Sequence, residues 1–193
     1  MLDLAATTTA LVLIDVQTGT LAMPLAPHPA ETIVRNATRL ARHFAKVGAT
    51  VILVRVAFSE GYVDRPNRPT DVPMATPAGG PPPGWSDLAP ELAAVKADLV
   101  ITKRQWSAFY GTELDLQLRR RGIVSVVIGG IATNFGVEST ARDAWQNNYA
   151  VVIAEDATSS VSEEHHRFAI EKTLPRVARI RSVDEIIAAL PAQ

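Results

Sequence analysis

Short runs of continuously apolar residues alternate along the chain with segments whose apolar residues recur at helical spacing. The apolar runs, which we interpret as buried strands, are residues 9–15, 50–58, 98–103, 124–130, 149–156 and, as a short edge strand, 178–182. The helical segments are residues 30–47, 113–122, 137–148, 162–178 and 182–190. Strands that are apolar at every position are typical of a parallel sheet covered by helices on both faces. The pattern therefore predicts an α/β fold.

One long segment, residues 59–86, interrupts this alternation. It contains most of the prolines and shows no hydrophobic period. Because the alternation resumes after it, we interpret the segment as a lid-like loop within a single domain of residues 1–193, and not as a domain boundary. Arg65 and Arg68 in this loop are candidates for a carboxylate clamp, and solvated loop charges are the alternative for both.

The composition narrows the range of functions. The chain has a net charge of −1 and no basic run of the kind that binds nucleic acid. It contains no Cys, which excludes disulfides, thiolate metal ligands and cysteine nucleophiles. The first 15 residues lack the features of a signal peptide, and no stretch approaches the roughly 18 apolar residues of a membrane span. We therefore expect a cytoplasmic protein without a nucleic-acid or membrane partner.

Polar residues follow four of the predicted strands, where a parallel α/β sheet binds its ligands. They are Asp15 and Gln17, Lys103, Thr133 and Asn134, and Asp156. An acid and a lysine at neighbouring strand ends could form an ion pair. The alternative is that they only cap the loops that follow.

Four stretches of sequence together resemble the isochorismatase-like (cysteine hydrolase) superfamily, in order and over essentially the whole chain. They are LVLIDVQ, ITKRQWSAFYGTELDLQLRRRGI, VVIGGIATNFGVESTARDAW and VVIAEDATSS. These motifs are most similar to those of uncharacterised bacterial hydrolases of this family. The resemblance implies a three-layer αβα, Rossmann-like fold with a six-stranded, mainly parallel sheet in the order 3-2-1-4-5-6. It also implies a homodimer or homotetramer.

The family's usual catalytic triad is Asp, Lys and Cys, and the resemblance places the first two at Asp15 and Lys103. The Cys falls at Gly136, so the amidohydrolase branch, which works through a thioester, is put in doubt. True isochorismatases are similar to this chain in carrying Gly there. They hydrolyse a vinyl ether without a covalent intermediate, with the Asp as proton donor or relay. The resemblance also implies a cis peptide between Ile131 and Ala132.

The resemblance makes Ala132, Thr133 and Asn134 the candidate oxyanion turn, in which we expect Gly136 to start a helix and its amide to donate to an oxyanion. Gln17, Phe109 and Tyr110 are the candidate substrate-pocket residues. The general acid requires a carboxyl group that is protonated near neutral pH. Burial would raise the pKa of Asp15 and Lys103 would lower it, and the sequence does not decide between them.

We expect neither a cofactor nor a metal. The adjacent His165 and His166 lie on a segment rich in Glu and Arg, so we expect both to be solvated. No acid–x–His pattern follows the second strand, where metal-binding nicotinamidases have one. The glycines at 129, 130 and 136 have the wrong spacing for a dinucleotide fingerprint.

The hypothesis that results is a cofactor-free hydrolase of a small, carboxylated molecule, which acts on a vinyl ether or a related bond. A catalytically silent, small-molecule-binding member of the family is the first alternative. A structural or regulatory oligomer is the second.

Overall fold

Six strands form one all-parallel sheet in the computed structural model, which describes residues 2–73 and 80–191. The strands are β1 (Thr9–Ile14), β2 (Thr50–Val56), β3 (Leu99–Lys103), β4 (Ser125–Ile131), β5 (Ala150–Ser159) and β6 (Arg179–Arg181). Their order is β3-β2-β1-β4-β5-β6, and every neighbouring pair is parallel. The predicted fold class and strand order are confirmed.

Four of the five predicted helices are present, the fifth is divided, and two short helices, Thr18–Leu21 and Pro90–Ala93, were not predicted. The helices are α1 (Thr18–Leu21), α2 (Ala30–Lys46), α3 (Pro90–Ala93), α4 (Leu114–Arg120), α5 (Glu138–Gln146), α6 (Glu163–Phe168) and α7 (Val183–Ala189). The single helix predicted over 162–178 is divided into α6, a π-helical turn at Ala169–Thr173 and a 3-10 turn at Leu174–Arg176. Pro175 explains the break, because it has no amide hydrogen to continue an α-helix.

Both faces of the sheet are covered, as a continuously apolar strand requires. Along β1, Leu11 and Leu13 pack into a core with α2 and α7, whereas Val12 and Ile14 pack into a second core with α4 and α5. This alternation follows from the two-residue period of a strand. With both faces buried, only the ends of the strands remain for chemistry.

The fifth strand is longer than predicted, and this corrects one of the candidate site residues. β5 continues through Asp156 to Ser159, with a register irregularity opposite Ile128 and Gly130 of β4. The carboxylate of Asp156 accepts a hydrogen bond of 2.7 Å from the amide of Val183, the first residue of α7. Asp156 therefore serves the docking of α7 and does not close the strand at the site.

The long loop is attached to the domain at both of its ends. Trp85 lies directly on Gly19, so closely that a Cβ at Gly19 would be 2.0 Å from the indole Nε1 atom. Near the start of the loop, Asp64 forms an ion pair of 2.6 Å with Arg104. Residues 74–79 of this segment lie outside the described residues. That the loop acts as a lid stays a prediction.

The two loop arginines are placed differently. The guanidinium of Arg65 stands 5.5 Å from the centre of the Tyr62 ring. Arg68 is exposed. Their role as a carboxylate clamp stays a prediction, as does the single domain over the whole chain. Among the helices of the described residues, none has both the length and the apolar character needed to cross a membrane.

Candidate active site

A buried ion pair joins two strand ends that are not neighbours in the sheet. Asp15 follows the last residue of β1, and Lys103 is the last residue of β3, on the far side of β2. The Lys103 Nζ atom lies 2.6 Å from Asp15 Oδ2, and the two side chains are 2% and 7% exposed. Lys103 also donates to the carbonyl of Gln105 at 3.0 Å. The pair is thus fixed inside the protein and does more than cap exposed loops.

The protonation of Asp15 is set mainly by its burial. Removal from water raises the pKa of Asp15 to about 6, although the charge and the hydrogen bond of Lys103 act in the opposite direction. Lys103 occupies Oδ2, and Oδ1 has no hydrogen-bond partner among the described residues. A proton on this carboxyl group therefore belongs on Oδ1. A buried carboxyl group with a raised pKa is a candidate proton donor.

The backbone at Asp15 is also unusual. Its φ angle is 52°, in the left-handed region that residues other than glycine seldom adopt. Such outliers concentrate at functional sites, where the surrounding contacts hold them. Here the Asp15 carbonyl accepts a hydrogen bond from the hydroxyl of Thr20, and its amide donates to Val54 at 2.8 Å.

β4 ends in a turn that approaches Asp15. The Ile131–Ala132 peptide is cis, as the family resemblance implies. Gly130 brings β4 very close to β1, since a Cβ at this residue would lie 1.9 Å from the Ile14 carbonyl oxygen. No other residue fits that approach, and it places residues 131–137 against the end of β1.

Gly136 borders the carboxyl group of Asp15. A Cβ built on Gly136 would lie 3.5 Å from Asp15 Oδ2 and 3.1 Å from Ile14 Cγ2. The helical turn begins at Thr133 and not at Gly136, which corrects the expectation that Gly136 starts a helix. The role of its amide toward an oxyanion stays a prediction.

The side chains of Thr133 and Asn134 hold the turn in place. Thr133 Oγ1 is fully buried and lies 2.8 Å from Nδ1 of His166. Asn134 Oδ1 accepts a hydrogen bond of 2.6 Å from the hydroxyl of Ser160. These two residues therefore anchor the candidate oxyanion turn to α6 and to the end of β5.

The three expected pocket residues make contacts of other kinds, and their role in a substrate pocket stays a prediction. The Gln17 side chain is buried and binds both backbone groups of Val56, at 3.0 and 2.9 Å, so it ties the ends of β1 and β2 together. The ring of Phe109 packs 5.9 Å from that of Tyr149, at the start of β5 and thus toward the opposite end of the sheet. Tyr110 is 75% exposed.

A different aromatic pair flanks the site. The rings of Trp106 and Phe135 are 4.8 Å apart, and the two residues are 50% and 37% exposed. Phe135 directly precedes Gly136, and Trp106 follows Gln105, whose carbonyl binds Lys103. The two rings form an exposed apolar surface on the two segments that carry Gly136 and the Lys103 contact.

A second polar cluster, which the sequence analysis missed, lies behind the turn. His28 Nε2 and His166 Nε2 lie 2.9 and 3.2 Å from the same oxygen, Oε1 of Glu155. The hydrogen bonds from His166 and His28 hold the pKa of Glu155 at about 2, and the hydrogen bond to Glu155 raises the pKa of His28. The expectation that His166 is solvated is wrong, since it is 3% exposed; His165 is exposed as expected. The buried Ala169, three residues on, marks the inward face of this segment.

Comparison with known proteins agrees with this arrangement. A family model described as the isochorismatase domain matches residues 9–185. The isochorismatase family protein YecD of Escherichia coli O157:H7 is 50% identical over 190 residues, which cover 98% of this chain and 100% of YecD. A solved structure of an isochorismatase family protein from Burkholderia thailandensis superposes with a TM-score of 0.90 at 40% identity, over 95% of this chain and 96% of that one.

A more distant similarity concerns an enzyme with a named substrate. The ureidoacrylate amidohydrolase RutB of Variovorax paradoxus is 46% identical over 76 residues, which are 39% of this chain and 30% of RutB. The match covers too little of either protein to carry that activity to this chain.

Proposed function

The chain belongs to the isochorismatase family of hydrolases, and from this premise we propose that it is a cofactor-free hydrolase of a small, carboxylated molecule. We further propose that it cleaves a vinyl ether or a related bond, with Asp15 as the general acid and without a covalent intermediate. The observation that carries the proposal is the buried Asp15, which has a raised pKa and an Oδ1 atom without a hydrogen-bond partner among the described residues. The chain also has no cysteine that could act as a nucleophile.

The chemistry requires a proton donor and a water molecule. Asp15 transfers the Oδ1 proton to the terminal carbon of the vinyl ether, which gives an oxocarbenium ion and leaves the carboxylate. The positive charge of Lys103, 2.6 Å from Oδ2, stabilises the carboxylate that forms. Water adds to the cation, and the resulting hemiketal divides into a ketone and an alcohol, while Asp15 regains a proton.

The residue at position 136 distinguishes this route from thioester chemistry. Gly136 lies beside Asp15 Oδ2, where a side chain would meet the carboxyl group, and it offers no nucleophile. We propose that the chain belongs to the branch of the family that has Gly in place of the nucleophilic Cys. An amide, which needs a nucleophile at its carbonyl carbon, is the poorer substrate for such a site.

Two further properties are part of the proposal. We propose a cytoplasmic protein that assembles as a homodimer or homotetramer. Val100, Trp106 and Trp145 are apolar side chains at least half exposed in the single chain, which supports assembly. Light scattering at micromolar concentration measures it, and a monomeric mass would contradict it.

The activity is tested on a substrate panel. Isochorismate and other vinyl ethers are compared with small amides that include ureidoacrylate, for the wild type, Asp15→Asn and the control Asp184→Asn, whose carboxylate is exposed. We expect turnover of a vinyl ether, a loss of about 10²-fold or more in Asp15→Asn, and little change in the control. Turnover of amides alone would contradict the proposal. Ligand-induced melting shifts without any turnover would favour the silent, small-molecule-binding member.

A further inference from the structure

We propose that His28, Glu155 and His166 form a binding site for one divalent transition-metal ion of the zinc class. The three residues come from separate parts of the fold. His28 precedes α2, Glu155 belongs to β5 and His166 to α6. The proposed metal site does not include Asp15 or Lys103, so it goes beyond the proposed hydrolytic function.

The ligand atoms already converge. Each His Nε2 lies within 3.2 Å of Glu155 Oε1, and the three atoms are all within 4.8 Å of one another. Zinc bonds of about 2.0–2.1 Å in tetrahedral geometry put neighbouring ligand atoms roughly 3.4 Å apart. The two N–O distances need to change by only a few tenths of an ångström, and the two histidine nitrogens need a modest approach. The imidazole rings cross at 86° with centres 5.5 Å apart, so their edges do not block each other.

The buried histidine is oriented by a partner of its own. His166 Nδ1 lies 2.8 Å from Thr133 Oγ1, and both side chains are buried. When Nδ1–H donates to this hydroxyl, Nε2 carries the lone pair that a metal requires. Such a hydrogen bond on the second ring nitrogen is the usual support of a metal-bound histidine.

Charge and access also suit a cation. Glu155 supplies a carboxylate, and both histidines already approach the same oxygen of it. The side chains of His28 and Glu155 are 25% and 33% exposed, which leaves an entry path and room for a water as fourth ligand. Two imidazoles, one carboxylate and an open position make a set of ligands that zinc accepts.

Metal binding is measured directly. Chelator-treated protein is titrated with Zn²⁺ by calorimetry and with Co²⁺ by visible absorption, for the wild type, His28→Gln, Glu155→Gln and the control His165→Gln. His165 is the exposed neighbour of His166, so its loss removes an imidazole without touching the site. Circular dichroism confirms the folding of each variant, and the partly exposed His28 gives a variant that does not depend on substitution in the core.

We expect one Zn²⁺ per chain, a melting temperature about 5–10 °C higher at a hundredfold excess over Kd, and the visible spectrum of four-coordinate Co²⁺. His28→Gln and Glu155→Gln should each weaken binding at least tenfold, whereas His165→Gln should bind like the wild type. The absence of stoichiometric binding to the folded wild type would overturn the proposal and leave a hydrogen-bonded cluster. Binding that is equally strong in His28→Gln and Glu155→Gln would overturn it as well. Neither outcome depends on turnover, so the proposed hydrolase activity stands or falls separately.

Discussion

Replacing Gly136 by Cys should create a thiol that shares its proton with Asp15. The new Cβ would lie 3.5 Å from Asp15 Oδ2, and Lys103 Nζ is 2.6 Å from the same oxygen, so Cβ and Nζ are at most about 6 Å apart. Gly136 is not among the glycines with a positive φ angle, and a side chain there needs small shifts of the Ile14 side chain and of the Ile131 carbonyl oxygen. The substitution is therefore compatible with the backbone.

The size of the effect follows from these distances. A positive charge about 6 Å away in a medium of effective dielectric constant ~20 stabilises a thiolate by about 3 kcal/mol, or about 2 pKa units. With Asp15 protonated, the thiol pKa falls from ~8.5 to about 6.5, close to the value of about 6 for Asp15 itself. Roughly a quarter of the molecules should then hold the proton on Asp15 and a thiolate at residue 136. Without Lys103 the thiolate fraction at pH 7 drops to about 3%.

Alkylation by iodoacetamide, followed by intact mass, measures that fraction. The protein has no other thiol, so every adduct reports on residue 136. We expect the rate at pH 7 to fall about tenfold when Lys103→Met is added to Gly136→Cys. Lys96→Met, at an exposed position before β3, is the matched control and should leave the rate unchanged. A folded variant that titrates like free cysteine, with or without Lys103, would refute the placement of residue 136 beside the ion pair.

Three further predictions concern stability and the loop. The pKa of Asp15 is about 6 in the folded protein and 3.8 ordinarily, so its contribution to the free energy of unfolding is fully present below pH 3.8 and is lost as the pH rises through 6. Urea unfolding should show the wild type losing about 2 kcal/mol relative to Asp15→Asn between pH 4 and 7; a constant difference would contradict the pKa. Gln17→Ala should lower the free energy of unfolding by about 2 kcal/mol, because it leaves the buried backbone groups of Val56 unpaired. Gly19→Ala should displace Trp85, seen as a shift in indole fluorescence, and an unchanged spectrum would contradict this contact.

The sequence alone predicts the buried strands and places Asp15 and Lys103 at strand ends, because both depend on local patterns. Apolar runs mark buried strands at any place in the chain, and a charged residue directly after such a run is confined to a strand end. Asp15 and Lys103 are of this kind. To predict their contact across β2, the strand order is needed as well, and the family resemblance supplied it.

The errors arise where partners distant in sequence decide the outcome. β5 continues past its apolar run, and Asp156 is used by α7. After Lys103 the chain turns along α5, held by a bond of 3.0 Å from the Ala108 amide to Thr140 Oγ1, and the ring of Phe109 packs against Tyr149. His166 can be buried because Thr133 and Glu155 provide hydrogen-bond partners for its two ring nitrogens. None of these contacts has a local signature.

The role of Asp15 as the proton donor is tested most directly by the pH dependence of kcat/KM. Cleavage of the vinyl ether that the substrate panel identifies is followed between pH 5 and 8 for the wild type and Asp15→Asn. We predict that kcat/KM of the wild type falls about tenfold per pH unit above roughly pH 6, because the acid of pKa about 6 loses its proton. Asp15→Asn should have almost no activity at any pH in this range. A rate that rises through this range, or that survives in folded Asp15→Asn, would contradict the account.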